Sequence, residues 1–226
     1  MIPLRDSIPS HTFPIINISL IVVNVLIFFL ELSLGQRLGG FISVFGVIPA
    51  KLTSAFTGDG AVSLTIVPLF TSMFLHAGWL HLIFNMLFLW VFGDNVEDAM
   101  GHIRYLLFYI LCGLGATATH VFFSPYSEVP VVGASGAIAG VLGAYFLLFP
   151  HSRVLTLVPL FFFHLIELPA LVFLGLWFVI QFFSGLLSIG IPSGGGVAWW
   201  AHVGGFATGV ILLYPFRRRR RVRQYL

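Results

Sequence analysis

Six stretches of the chain, Ile15–Leu32, Trp79–Phe92, Ile103–Phe123, Gly133–Phe149, Pro169–Ile189 and Ala198–Phe216, run almost free of charged residues. Runs of this kind belong in lipid, where about 20 apolar residues cross the bilayer. Every backbone amide must then be satisfied within the segment, so each run is expected to be a helix. Only 8% of the 226 residues are charged and 58% are hydrophobic, with a mean hydropathy of +1.02. A soluble domain carries roughly a quarter charged residues, and that class is thereby excluded. The length leaves room for at most about six or seven spans. One polytopic domain, residues 15–216, is expected between a short polar lead, 1–14, and a basic tail, 217–226. The predicted fold is an all-α membrane protein, a bundle of six transmembrane helices with a long membrane-embedded first loop.

The connections refine this picture. Met1 to Pro14 holds Arg5 and Asp6 and lacks the small-residue cleavage site of a signal peptide. Between Gly35 and Gly78, the segments Phe41–Phe45 and Ile66–Phe70 are too apolar for a solvated loop. Non-helical backbone at membrane depth needs protein or water beside it, so this loop is expected half sunk in one leaflet against the bundle. The second span is expected to end at Gly93-Asp94-Asn95-Val96-Glu97-Asp98, and the fourth at Pro150. The fourth covers only about 25 Å of a core of about 30 Å, so one of its ends should begin below the surface. Leu157–His164 reads as an interfacial connection, Pro169 as a first-turn proline opening the fifth span, and Ile191–Gly196 as a flexible turn. Cys112 is the sole cysteine, which excludes an internal disulfide; among apolar neighbours it reads as packing.

Orientation follows from the basic residues. With six spans both termini share a side, which then holds Arg5, Arg104, Arg153 and the six tail arginines, against Arg37 and Lys51 opposite. The positive-inside bias places both termini in the cytoplasm. The arginine run at 217–223 therefore reads as a topology signal, and no nucleic-acid partner is expected. Spans two, four and six all run inward, and His81, Ser135 and His202 each fall in the first turn or so of one of them. Residues scattered over the chain arrive at one depth near the outer face.

That depth carries the chemistry. Ser135 opens an apolar helix, where unpaired N–H groups and positive dipole suit an oxygen developing negative charge. A serine hydroxyl attacks well only when a base takes its proton, and a His imidazole does so near neutral pH. With no Asp or Glu recognised in the outer halves of the spans, a Ser135–His202 dyad is expected rather than a triad. His81 and Asn85, four apart, point the same way, and together with the Ser135 backbone N–H they can supply three donors to a tetrahedral oxyanion. Each feature has a plainer reading: Ser-Gly as a small contact between helices, a His or the His81–Asn85 pair as interhelical hydrogen bonds. Polar groups in a bilayer are costly and usually functional, so their convergence favours the chemical reading. Gly136, Gly140 and Gly143 on the fourth span and Gly205 and Gly209 on the sixth form stripes that let the two helices approach. His76 is expected to tie down the first loop. His120, His151 and His164 show no ligand spacing, and neither a metal nor a cofactor is expected.

Gly133-Ala134-Ser135-Gly136, His81-Leu82-Ile83-Phe84-Asn85, Ala201-His202-Val203-Gly204-Gly205 with Gly209, and Glu97-Asp98-Ala99-Met100-Gly101-His102-Ile103-Arg104-Tyr105 together resemble the rhomboid family of intramembrane serine proteases. The likeness covers roughly residues 15 to 216. It implies a six-helix bundle with a water-filled cavity open to the outside, Ser135 as nucleophile, His202 as general base, and His81 with Asn85 as oxyanion donors. Glu97 and Arg104 match a structural region on the cytoplasmic side. The fifth span matches the family's proposed lateral gate, with Trp177 and Phe178 facing the access route. One position departs: where some members place an aromatic ring under the base, four residues after the serine, this chain has Ala139.

The activity so implied is an endopeptidase acting on transmembrane segments of other membrane proteins near the outer face, through an acyl-enzyme. Helical backbone resists proteolysis, so substrates should carry weakly helical segments with Gly, Ala or Ser. A short chain of this kind fits a bacterial plasma membrane. Two rivals are a non-catalytic rhomboid-like protein, which usually lacks the serine or histidine present here, and a transporter, which would need an ion-pairing carboxylate at mid-depth.

Overall fold

The computed structural model describes residues 1–58, 62–160, 162–189 and 196–218. Most of the expected turn at 191–196 and the arginines from 219 onward lie outside the described residues. The chain begins with a strand, β1 (Ile2–Asp6), followed by a helix, α1 (Ile15–Ser33). The first loop then folds into three short helices, α2 (Leu38–Phe45), α3 (Pro49–Thr57) and α4 (Ser63–Thr71). Long helices α5 (Trp79–Met100) and α6 (His102–Phe123) precede the short α7 (Ser135–Leu148). A hairpin of β2 (Arg153–Leu160) and β3 (Phe162–Pro169) leads into α8 (Ala170–Ser188), and α9 (Trp199–Phe216) closes the bundle.

Among the described residues four helices, α1, α5, α6 and α8, are long and apolar enough to cross a membrane, which defines a multi-pass membrane protein. The two that carry Ser135 and His202 are different. α7 has 14 residues, and Gly136 through Tyr145 are all buried. It is enclosed by α5, α6, α8 and α9, so it meets protein rather than lipid and need not match the thickness of the bilayer. α9 buries Trp200, His202, Gly204, Gly205, Phe206, Gly209 and Leu213 against α6 and α7.

One helix boundary differs from expectation. α5 runs eight residues past Phe92, through Gly93 to Met100. Gly93 is no breaker: a side chain there would collide with Asn17, whose Oδ1 accepts the Tyr105 hydroxyl at 2.8 Å, so the glycine makes room for α1. The acidic residues beyond it find partners instead of water. Glu97, fully buried, accepts the N–H groups of Ile16 (3.0 Å) and Asn17 (2.7 Å), the orphan donors at the start of α1, and lies 2.5 Å from His102 Nδ1. Asp98 accepts the Thr12 hydroxyl at 2.7 Å. Arg104 is exposed.

The segment read as an interfacial connection is a β-hairpin, and part of the polar lead completes it. β2 pairs antiparallel with β3 from Arg153↔Pro169 to Leu160↔Phe162, and β1 pairs with β2 from Ile2↔Leu157 to Asp6↔Val154. Val154, Thr156 and Val158 alternate inward along β2, the period-two pattern of a half-buried strand. The sheet caps the end of the bundle where α7 stops. At the opposite end the first loop is tied back to the bundle: Val47 bridges Val131, and the Ser72 carbonyl accepts the Gly133 N–H at 2.8 Å.

Candidate active site

Ser135 is the first residue of α7, where N–H groups lack intrahelical acceptors. Gly133 before it holds φ +130°, a conformation that side chains rarely adopt, and this turn delivers the serine from the loop into the helix. His202 sits one turn into α9 and is buried. The two meet: His202 Nε2 lies 2.8 Å from Ser135 Oγ. On the other side of the ring, Nδ1 lies 2.7 Å from Gln181 Oε1. An amide oxygen only accepts, so Nδ1 carries the proton and the Nε2 lone pair faces the serine hydroxyl. No carboxylate takes part in this pair among the described residues. Glu31, at the same end of α1 and buried, was missed as an acid near this depth, but it accepts the His76 backbone N–H at 3.1 Å.

Trp177 lies over His202 at 5.8 Å between ring centroids, and Trp199 approaches edge-on at 6.3 Å. These rings do what the alanine at 139 cannot. Ala139 is itself fully buried at the crossing of α7 and α9, and a side chain on Gly205 would lie 3.3 Å from it, so no aromatic ring fits there. Trp177 and Phe178, expected to face the access route, are half-buried, Trp177 lying 6.5 Å from the Phe88 ring of α5 and Phe178 on Phe206 at 4.7 Å. Val179, Ile180 and Phe183 are among the residues that α8 exposes.

His81 stands across from the serine. Its Nδ1 accepts the Ala77 N–H at 3.3 Å, which leaves the proton on Nε2. A Cβ placed on Gly133 would fall 2.7 Å from His81 Nε2 and 3.6 Å from Ser135 Oγ. The missing side chain therefore lets the His81 ring and the Ser135 hydroxyl approach each other across this turn. Asn85 shares that face of α5, is buried, and its Nδ2 has no hydrogen-bond partner among the described residues. An unpartnered buried donor is costly unless something arrives to accept it. His76 ties down the first loop, as expected, through its backbone. Its ring, 5.1 Å from that of His81, is held down to about 4 by burial and by His81, so it stays neutral. Among the described residues, no group of three or more His, Cys, Asp or Glu could hold a metal ion.

Gln181 escaped the reading of the sequence. The signal was present, since it is the one amide in an otherwise apolar span, and buried polar groups in such spans are seldom idle.

The sequence profile of the Rhomboid domain matches residues 63–219. The chain belongs to the rhomboid family. Similar proteins include the rhomboid protease GluP of Bacillus subtilis, 47% identical over 34% of this chain and 14% of that protein. RHOMBOID-like protein 6, mitochondrial, of Arabidopsis thaliana is 35% identical over 64% of this chain and 41% of its own length. RHOMBOID-like protein 1 of the same plant is 32% identical over 74% and 40%. The chain thus spans less than half the length of these relatives.

Proposed function

We propose that the protein is an intramembrane serine endopeptidase in which Ser135 attacks a peptide carbonyl and His202 takes the hydroxyl proton as general base. The contact of 2.8 Å between Ser135 Oγ and His202 Nε2 carries this reading. In the first step the Oγ–C bond forms while the proton moves to Nε2. The carbonyl oxygen becomes an oxyanion beside the His81 ring N–H, the Asn85 amide and the Ser135 backbone N–H. Collapse expels the amine, which leaves with the proton from His202, and water then repeats the sequence on the acyl-enzyme. Membership of the rhomboid family supports membrane proteins as substrates. Weakly helical segments are the chemically accessible ones, because a scissile carbonyl must first leave its helical hydrogen bond.

The reading includes six spans in a plasma membrane, supported by the six apolar runs, with both termini in the cytoplasm and the dyad near the outer face, an orientation supported by the distribution of Lys and Arg. The test is cleavage of a transmembrane substrate by the reconstituted chain, with Ser135→Ala and His202→Ala. Labelling by a fluorophosphonate, which reacts only with an activated serine, separates a protease from a non-catalytic helix-binding protein. Undiminished turnover in either variant would reject the proposal.

A further inference from the structure

We propose that Gln181 is the positioning residue for His202, fixing both its tautomer and its tilt toward Ser135; the inference rests on the Ser135–His202 reading above. Ala170, Phe173, Leu174, Gln181 and Gly185 form the buried stripe of α8. A leucine would fill the position of Gln181 without the desolvation that a buried amide incurs, so the fold alone does not call for a glutamine there. What the amide gains is the bond of 2.7 Å to His202 Nδ1, with the glutamine only 6% exposed. A ring anchored at Nδ1 by an acceptor cannot place its proton on Nε2, and it cannot swing away from the serine without breaking that bond. Trp177, one turn earlier on the same helix, limits the remaining rotation from its place 5.8 Å away.

Three helices therefore share the dyad's geometry. α7 and α9 bring the reacting atoms together, and α8 holds the base in the state that accepts a proton. Among the described residues the ionisable groups near His202 are His81 on α5 and His120 on α6, neither of which bonds to it, and the neutral amide is its only tether at Nδ1. Unlike a carboxylate, this tether orients the ring without holding a positive charge on it.

The experiment follows fluorophosphonate labelling and substrate cleavage across pH, using the full chain in proteoliposomes. Gln181→Leu should slow labelling and kcat by about 10- to 100-fold, with KM changed less than about twofold and thermal stability retained. Gln181→Glu puts a carboxylate against Nδ1, favours the imidazolium, and should move the acidic limb of the profile up by about one pH unit. A residue that merely packs would leave that limb where it is. Wild-type labelling rates in Gln181→Leu, or an unmoved limb in Gln181→Glu, overturn the proposal, and the second arm decides should the leucine variant not fold. If the wild-type chain is never labelled, the dyad reading itself fails and this inference with it. A labelled wild type with unaffected Gln181 variants removes the inference alone.

Discussion

Gly205 on α9 faces the carbonyl oxygen of Gly136 on α7 with no space between them for a methyl group. Gly209 meets the carbonyl of Gly140 in the same way, one turn further along. Backbones that touch so closely gain dispersion and weak Cα–H···O contacts, which side chains would prevent. Ser135 adjoins Gly136, and His202 lies three residues before Gly205. The glycine pair therefore sets the separation of hydroxyl and imidazole. Gly205→Ala should cost about 1–3 kcal/mol by overpacking and pull Oγ and Nε2 apart. Thermal unfolding in detergent, together with the fluorophosphonate rate, checks this: labelling should fall further than the loss of folded protein explains. A stable variant labelled at the normal rate would break the link between packing and chemistry.

Gly133 is a separate case, because its substitution strains the backbone and fills the site at once. At φ +130° a side chain costs on the order of 1–3 kcal/mol, and the Cβ would press on the His81 ring. Gly133→Ala should abolish cleavage while leaving the bundle folded, since the turn lies at the end of the molecule away from the sheet. The measurement is circular dichroism for the fold and turnover for the site. Activity within about tenfold of wild type would mean that the space beside His81 is not where a substrate carbonyl goes.

Much of this architecture could be read from the chain. Apolar runs gave the helix positions closely, the far end of α5 excepted, because lipid and the buried core both demand the same continuous apolarity. The glycine stripes and the shared depth of His81, Ser135 and His202 pointed to one site, and all three side chains do converge at one end of the bundle. Other features depend on partners distant in sequence. Glu97 looked like the end of a helix, until α1 placed its unpaired N–H groups on the carboxylate. The strand character of Val154–Val158 was hidden by its apolar neighbours, and Ile2–Asp6 becomes a strand only because β2 offers an edge. Gln181 reaches His202 through the packing of α8 on α9, which no spacing rule predicts.

Asn85 holds an amide nitrogen that has no hydrogen-bond partner among the described residues. Its Nδ2 is buried and unpartnered, which is the state expected of a donor kept for an oxyanion. Asn85→Ala should slow kcat by about 10²-fold with little effect on KM, and less if His81 and the backbone compensate. Folding should not suffer, because removing an unsatisfied buried donor relieves a cost rather than breaking a bond. A variant with normal turnover but lowered stability would make Asn85 a structural residue.

The last relationship lies at the opposite end of α7, where β1 docks. The Tyr145 hydroxyl donates to Asp6 Oδ2 and sits 3.0 Å from Ser152 Oγ, while Arg153 N–H donates to Ser7 Oγ at 2.9 Å. Burial pushes the Asp6 carboxyl up to about 6 from an ordinary 3.8; the Tyr145 bond opposes this, and Asp94 adds to it. The docked strand therefore binds a proton more tightly than the undocked one. Its attachment is fully supported below about pH 4, weakens as pH rises through about 6, and is constant above that. Amide exchange at residues 2–6, corrected for the intrinsic pH dependence of the rate, should show protection falling across that window. Asp6→Asn keeps a neutral side chain beside Tyr145 and should hold the strand in place at pH 7.5 with the slope gone. Protection that is level in the wild-type chain, or a slope that survives in the asparagine variant, would show that this carboxyl does not govern the docking of β1.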